Sequence, residues 1–254
     1  MLGNNTIATF TNYNPAKING LFAWYKYDSI ITANGTVSQV NDKTGNGRHA
    51  VQAVSGSQPL YFSSGGPNNK PYWAGVVNTR YLLAGANNDF NILHNGTNWT
   101  VIFISRGSNQ GARVVFGTQN GYGTDLGFGL YEGGSGNNGY SSAIGNGSNI
   151  VATFTHNAAG WTTGSFHKSI ITYDNSLTDK AITSSIDSST VTGNRTATAS
   201  ASNSGRKLGI GSSGAGTYIT DTAWCEVLIF NKKLSSNEIN YINNYFRYEY
   251  GLWF

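Results

Sequence analysis

Residues 224–231, WCEVLIFN, are followed by a polar break, KKLSS (232–236), and then by NEINYINNYFRYEYGL (237–252). The first segment is a short apolar run of strand length. In the last, Ser235 and Glu238 have capping-box spacing, while Ile239, Ile242 and Phe246 recur at helical intervals. Gly251 stands where a helix would stop. So narrow an apolar stripe must rest on something, so a helix over 237–250 is predicted to dock on the outside of a β-structure. There it would cover an edge otherwise free to pair.

Working outward, the rest of the chain is short apolar or alternating runs broken by Gly, Asn and Asp. YWAGVV (72–77), WTVIFIS (99–105), RVVFG (113–117) and DLGFGLY (125–131) are followed by IVATFT (150–155), FHKSIITYD (166–174) and RKLGIG (206–211). Runs rich in β-branched and aromatic residues, bounded by turn formers, read as strands. So many favour a two-sheet antiparallel sandwich, since one open sheet of that size would curl or split. At 254 residues, a single such domain is the better reading than two small ones. EGGSGNNGYSSAIGNGSN (132–149) and TATASASNSG (196–205) are low in complexity and read as long loops or ragged edge strands. No repeat of solenoid or propeller period is present.

Charged residues make up only 11% of the chain, against roughly a quarter in an average protein. With 39% hydrophobic and 13% aromatic residues a core is available, so disorder is excluded. Asn, Ser, Thr and Gly must supply the polar surface, as is common on extracellular and virion proteins. The net charge of +4 comes from scattered Lys and Arg, densest in pairs such as Arg206–Lys207 and Lys232–Lys233. No basic stripe for nucleic acid is visible. The lone Cys225 lies in an apolar strand and reads as a small buried hydrophobe. Met1 is followed by LGNNTIATF, with no charged or long apolar segment, so no signal peptide is readable. No run reaches membrane-spanning length, and no membrane insertion is expected. This combination suits a particle released by lysis, and equally a chain trimmed of its export signal. Six N-x-S/T sequons, starting at Asn4, Asn34, Asn95, Asn98, Asn146 and Asn194, are expected by chance in so Asn- and Thr-rich a chain.

The opening segments GLFAWYKYD (20–28) and VSQVNDKTGNGRHAVQ (37–52), with the strand–turn–helix at the end, resemble the concanavalin A-like jelly-roll family, especially laminin-G-like modules of phage and cell-surface proteins. NDKTGNG (41–47) resembles that family's D-x-S/T-G-N-G turn, where Asp42 can bond backbone amides and the glycines accept positive φ. HKSIITYD (167–174) resembles its H-x5-Y strand, and Ile186-Asp187 its next strand, with Ser188 where a glycine is usual. Leu208-Gly209-Ile210-Gly211 matches the strand before the final loop. The resemblance runs from about Gly20 to Leu252 and implies a jelly roll over 20–254 preceded by an N-terminal arm, 1–19. MLGNNTIATFTNYNPAK (1–17) mixes Ile7 and Phe10 with loop formers, as an arm that orders on a neighbouring subunit would; the alternative is that it packs along its own domain.

Catalysis finds little support. Gly209-Ile-Gly211-Ser-Ser-Gly214 formally fits G-x-G-x-x-G, but AGTYITDTAW follows where a dinucleotide site needs a helix. His49, His94, His156 and His167 lack metal-ligand spacing, and no G-x-S-x-G elbow exists. Glucan-cleaving members of the resembled superfamily carry E-x-D-x-E, which aligns the carboxylate pair of a retaining glycosidase about 5 Å apart. Here Glu132, Glu226, Glu238 and Glu249 each stand without an acidic residue two or four positions away.

Sugar binding needs aromatic faces for C–H groups and short polar side chains for hydroxyls. Tyr122, Asp125, Tyr131, Asn137, Asn138 and Tyr140 lie among glycines, and Trp161 adds an indole in HNAAGWTTG. These are the candidate ligand-binding residues; the alternative is that the aromatics pack between sheets. The resemblance also implies a rim Ca2+, with Asp125, Asp187 and Asp221 as candidates, although no D-x-D-x-D cluster is present. The expectation is a non-catalytic lectin-like module on a phage virion surface (head fibre, decoration or tail component), binding carbohydrate or host-surface glycan beside other virion subunits and forming a homo-oligomer. The alternatives are a structural decoration protein, an extracellular bacterial or eukaryotic adhesion module, and a glycan hydrolase.

Overall fold

A computed structural model of the chain describes residues 13–107, 113–121, 123–132, 139–157 and 164–252. The strands are β1 (Leu21–Lys26), β2 (Ile30–Ala33), β3 (Thr36–Val40), β4 (Ala50–Val51), β5 (Leu60–Phe62), β6 (Tyr72–Ala74), β7 (Leu82–Ala84), β8 (Trp99–Arg106) and β9 (Arg113–Gly117). There follow β10 (Gly127–Glu132), β11 (Tyr140–Gly145), β12 (Ile150–His156), β13 (His167–Tyr173), β14 (Ile182–Ile186), β15 (Ser189–Gly193), β16 (Leu208–Ile210) and β17 (Ala223–Phe230). Helix α1 (Ser236–Tyr250) closes the described chain.

Pairing resolves these into two antiparallel sheets. The back sheet runs β1-β17-β8-β13-β14-β15. The front sheet runs β2-β3-β4-β7-β16-β9-β10-β11-β12. Along one side β5 and β6 bridge β3 to the first residues of β17. Between the sheets lies an aromatic core including Trp73, Trp99, Trp224, Phe103, Phe116, Phe128 and Tyr173. The chain is thus an all-β antiparallel sandwich with a C-terminal helix. Residues 132–149 depart from expectation: β11 lies inside the front sheet between β10 and β12 and is no edge. Its alternate residues Tyr140, Ser142 and Ile144 are buried, and such a polar, small-residue strand has no apolar run to announce it.

The NDKTGNG turn forms as its residues require. Asp42 accepts hydrogen bonds from the amides of Trp24 (3.1 Å), Thr44 (3.0 Å) and Arg48 (3.3 Å), while Gly45 and Gly47 take φ of 82° and 74°. Because Trp24 belongs to β1, this turn ties the loop after β3 to the back sheet.

Helix α1 starts on the predicted capping box, with Ser235 and Glu238 bonded reciprocally, and ends at Gly251 with φ 64°. It lies across the outer face of the back sheet and not along an edge. The reason is the apolar surface there: Ile102 and Ile104 of β8, Ile170 of β13, and Cys225, Leu228 and Phe230 of β17 cluster with Ile242, Tyr245, Phe246 and Tyr250. Cys225 is fully buried, and burial pushes its thiol up. Tyr13 meets the Tyr241 ring edge-on, the Asn14 amide donates to the Tyr241 hydroxyl, and Ile18 is buried in the same cluster. The part of the expected arm that is described therefore packs on the helix.

A bulge in β17 shapes this layer. Its register with β8 steps from Trp224 to Glu226, so Cys225 and Glu226 both face outward while Trp224 and Val227 face the inner core. Glu226 is thereby fully buried beneath the helix. It accepts hydrogen bonds from Trp24 Nε1 (2.6 Å), the Tyr245 hydroxyl (2.9 Å) and the Tyr250 hydroxyl (2.5 Å). Burial dominates and raises its pKa from 4.5 to about 7, against the pull of Lys26 and the three donors.

The folded state therefore holds this proton across a range where the unfolded chain has released it. Stability from Glu226 is fully present below pH 4.5 and falls as pH rises through 7. His94 and His156, lowered by burial, act oppositely as pH falls, so the comparison is best made as a difference. Wild type should lose on the order of 3 kcal/mol relative to Glu226→Gln between pH 4.5 and 8, measured by urea unfolding. A pH-independent difference would show that Glu226 does not carry the proton.

Candidate functional site

Among the candidate ligand residues, Tyr122, Asn137, Asn138 and Trp161 lie outside the described residues. The other aromatics are structural. Tyr140 is 1% exposed, set between Phe103 and Phe154 in the inner core. Tyr131 is 5% exposed and lies across Gly129, whose missing Cβ leaves room for the ring. Its hydroxyl sits 2.7 Å from Gln119 Oε1 and 2.5 Å from the Gly121 carbonyl. Neither ring offers a free face to a sugar. Asp125 is exposed on the β9–β10 loop, where its Oδ2 accepts from the Gly121 amide at 2.8 Å.

The calcium candidates do not converge. Asp125, Asp187 and Asp221 sit on three separate connections, and no group of three His, Cys, Asp or Glu is arranged for a metal among the described residues. Asp187 is engaged instead: Oδ2 lies 2.6 Å from His167 Nδ1, and Oδ1 accepts from the Lys168 amide at 3.1 Å. It also supplies the left-handed residue of the β14–β15 hairpin, with φ 51°, which explains how Ser188 can occupy the position usually held by glycine.

The four glutamates are likewise committed. Glu132 is buried with its oxygens 2.8 and 2.7 Å from the hydroxyls of Thr220 and Thr222. Glu226 lies under the helix and Glu238 caps it. Glu249 accepts from the Tyr27 hydroxyl and pairs with Lys26 (3.1 Å) and Lys70 (3.4 Å).

A different set of residues gathers where the outer face runs past the helix. Alternate residues of β8 point outward, so Arg106 follows Ile102 and Ile104 onto this face. Tyr72 of β6 and Phe62 of β5 come alongside, stacked 4.5 Å apart and 7° from parallel. Phe166, just before β13, meets Tyr72 edge-on at 5.3 Å. The Arg106 guanidinium lies 5.3 Å from both the Tyr72 and Phe166 centroids. Phe62 is 37% exposed, and Phe166 and Arg106 are half-buried. Sequence reasoning missed this cluster. Strand parity could have placed Arg106 outward, but not beside Phe62, Tyr72 and Phe166, which are distant in sequence.

No protein-family model matches the sequence, and no curated protein sequence does. Solved structures share the fold. The ligand-binding domain of botulinum neurotoxin serotype D, in complex with N-acetylneuraminic acid, is similar at TM-score 0.62 and 12% identity. That match covers 90% of this chain and 52% of the toxin domain, so the chain spans about half its length. Trypanosoma rangeli sialidase, in complex with a difluoro-KDN, matches at TM-score 0.50 and 15% identity over 89% of this chain and 32% of its own. The Ruminococcus gnavus IT-sialidase CBM40 bound to α2,3-sialyllactose matches at TM-score 0.46 and 15% identity, over 57% and 82%. At such identities the first two likenesses establish the fold alone.

The Asp187 geometry is testable. Asp187→Ala should cost about 1–3 kcal/mol in denaturant unfolding, because it strips the His167 and Lys168 bonds and strains the left-handed residue. Asp187→Gly should recover only the backbone part. Equal stability of the two variants would show that the turn carries no strain.

Proposed function

We propose that the protein is a non-catalytic glycan-binding module that engages sugar at the Phe62–Tyr72–Phe166 cluster. The observation that carries this reading is the exposed Phe62 ring, stacked on the buried Tyr72 beside the half-buried Phe166 and a guanidinium, on a sandwich whose other described large aromatics are mostly internal. Ring faces take sugar C–H groups, and a guanidinium donates to sugar oxygens. A solved protein of the same fold holds N-acetylneuraminic acid, which makes glycan the first ligand class to test. Absence of catalysis is supported by the glutamates, each occupied in holding the fold together. Display on a virion surface, among other virion subunits and as a homo-oligomer, is the setting that the charge-poor, Asn- and Gly-rich composition favours.

On a glycan array the full chain should bind a reproducible subset. Phe62→Ala should lower that binding about tenfold while shifting the melting midpoint little, since the ring is partly exposed. Incubation with bacterial surface polysaccharides, alginates and β-glucans should release no reducing ends. A blank array with tight binding to capsid or tail subunits would mark a structural decoration protein instead.

A further inference from the structure

Arg106 differs from most cations of this chain in having no described partner. Lys26 and Lys70 pair with Glu249, Lys43 with Asp28, Lys232 with Glu238 and Lys233 with Asp174. The guanidinium groups of Arg48, Arg80 and Arg195 donate to the backbone carbonyls of Phe22, Gln58 and Leu177. The Arg106 guanidinium makes neither a hydrogen bond nor an ion pair among the described residues; it is held only by the Tyr72 and Phe166 rings. Half-buried and flanked by rings, it has lost part of its hydration without gaining an anion.

Its surroundings do not neutralise it. Lys168, two residues beyond Phe166 on the same face, donates to the uncharged Asn243 Oδ1 at 2.9 Å. Burial, with the like charge of Arg247, holds the Lys168 ammonium below its usual range, although Asp187 acts the other way. Asp187 itself is bound to His167 and to the Lys168 amide. Among the described residues, no carboxylate is bonded to the half-buried Arg106 guanidinium.

We infer that Arg106 is the anion-recognising residue of this site, and that its glycans are acidic sugars whose carboxylate closes on the guanidinium while the sugar ring packs on Phe62 and Phe166, backed by Tyr72. The inference rests on the glycan-binding reading and adds the ligand class. A planar guanidinium presents two parallel N–H donors that match a carboxylate, which a lysine in the same place would not. Because the two rings already orient the head, little side-chain freedom remains to be lost on binding.

The test uses the full chain and an array carrying sialylated and uronic-acid glycans, their carboxyl-reduced counterparts, and sulfated glycans. Acidic glycans should bind at least tenfold better than their reduced forms, and more weakly as salt rises. Arg106→Gln should lose about ten- to a hundredfold of that binding, with circular dichroism unchanged, and Arg106→Lys should restore only part. Equal binding of acidic and reduced glycans, a preference for sulfated ones, or full binding by Arg106→Gln would each overturn the inference. If neutral glycans bind and Phe62→Ala abolishes this while Arg106→Gln does not, the charge assignment alone falls. A wholly blank array removes the glycan reading with it.

Discussion

Glu226 is the constraint around which the outer half of the molecule is arranged. A carboxyl fully removed from water must be given donors or a proton, and three side chains from two elements converge to supply them. Trp24 comes from β1, on one side of β17, and Tyr245 and Tyr250 come from α1 above it. The carboxyl thus specifies where the helix sits, more than how tightly. Apolar contact provides the attraction: Ile242 and Phe246 each contribute roughly 2 kcal/mol on burial, enough together to outweigh the desolvation of one acid. Apolar packing alone would tolerate a helix shifted by a turn. A shifted helix would leave Glu226 buried with donors missing, which is the costly state.

That placement has a consequence for the rest of the face. The helix ends at Gly251 near the Pro67–Asn69 turn, where Asn68 Nδ2 donates to the Glu249 carbonyl at 3.2 Å. Beyond this line β5, β6 and the end of β8 continue without a helix over them. Among the described residues, the Phe62–Tyr72–Phe166 cluster is therefore the remainder of a face whose other part the helix covers. The front sheet is treated differently. Gly209, Gly117 and Gly129 stand opposite one another across β16, β9 and β10. The space their absent side chains leave is filled by the carbonyls of Ser212 and Ser213 and by the Tyr131 ring. Among the described residues, loops fill the outer side of the front sheet at these glycines, and no helix covers the end of the back sheet beyond α1.

Sequence patterns reached these features unequally. The helix, its cap and its stop are local chemistry, as is the Asp42 turn, and each is written in a few adjacent residues. Sandwich architecture followed from the number and length of the apolar runs. What could not be read was adjacency between distant strands. Tyr131 and Tyr140 sit among glycines, as residues of a binding loop would, but those glycines serve close packing and interior strand pairing. Arg106 ends a strand whose alternation was plain, yet its neighbours come from β5, β6 and the approach to β13. The bulge that turns Glu226 outward is also silent in sequence, because WCEVLIFN offers no interruption at Cys225.

The low charge content sharpens the meaning of each charged group. With twelve acids in 254 residues, most carboxylates in the described structure are consumed by caps, turns and the network under the helix. Asp42 holds a turn, Glu238 caps α1, and Glu249 serves Tyr27, Lys26 and Lys70 at once. A chain this sparing with acids has few to place opposite a cation that serves no structural purpose. In a charge-rich protein an unpaired surface arginine is ordinary, since many neighbours screen it. Here the guanidinium is half-buried between two rings, where water screens it less and an approaching anion is felt more strongly. Its isolation follows from the same economy that leaves no described pair of glutamates free of structural partners.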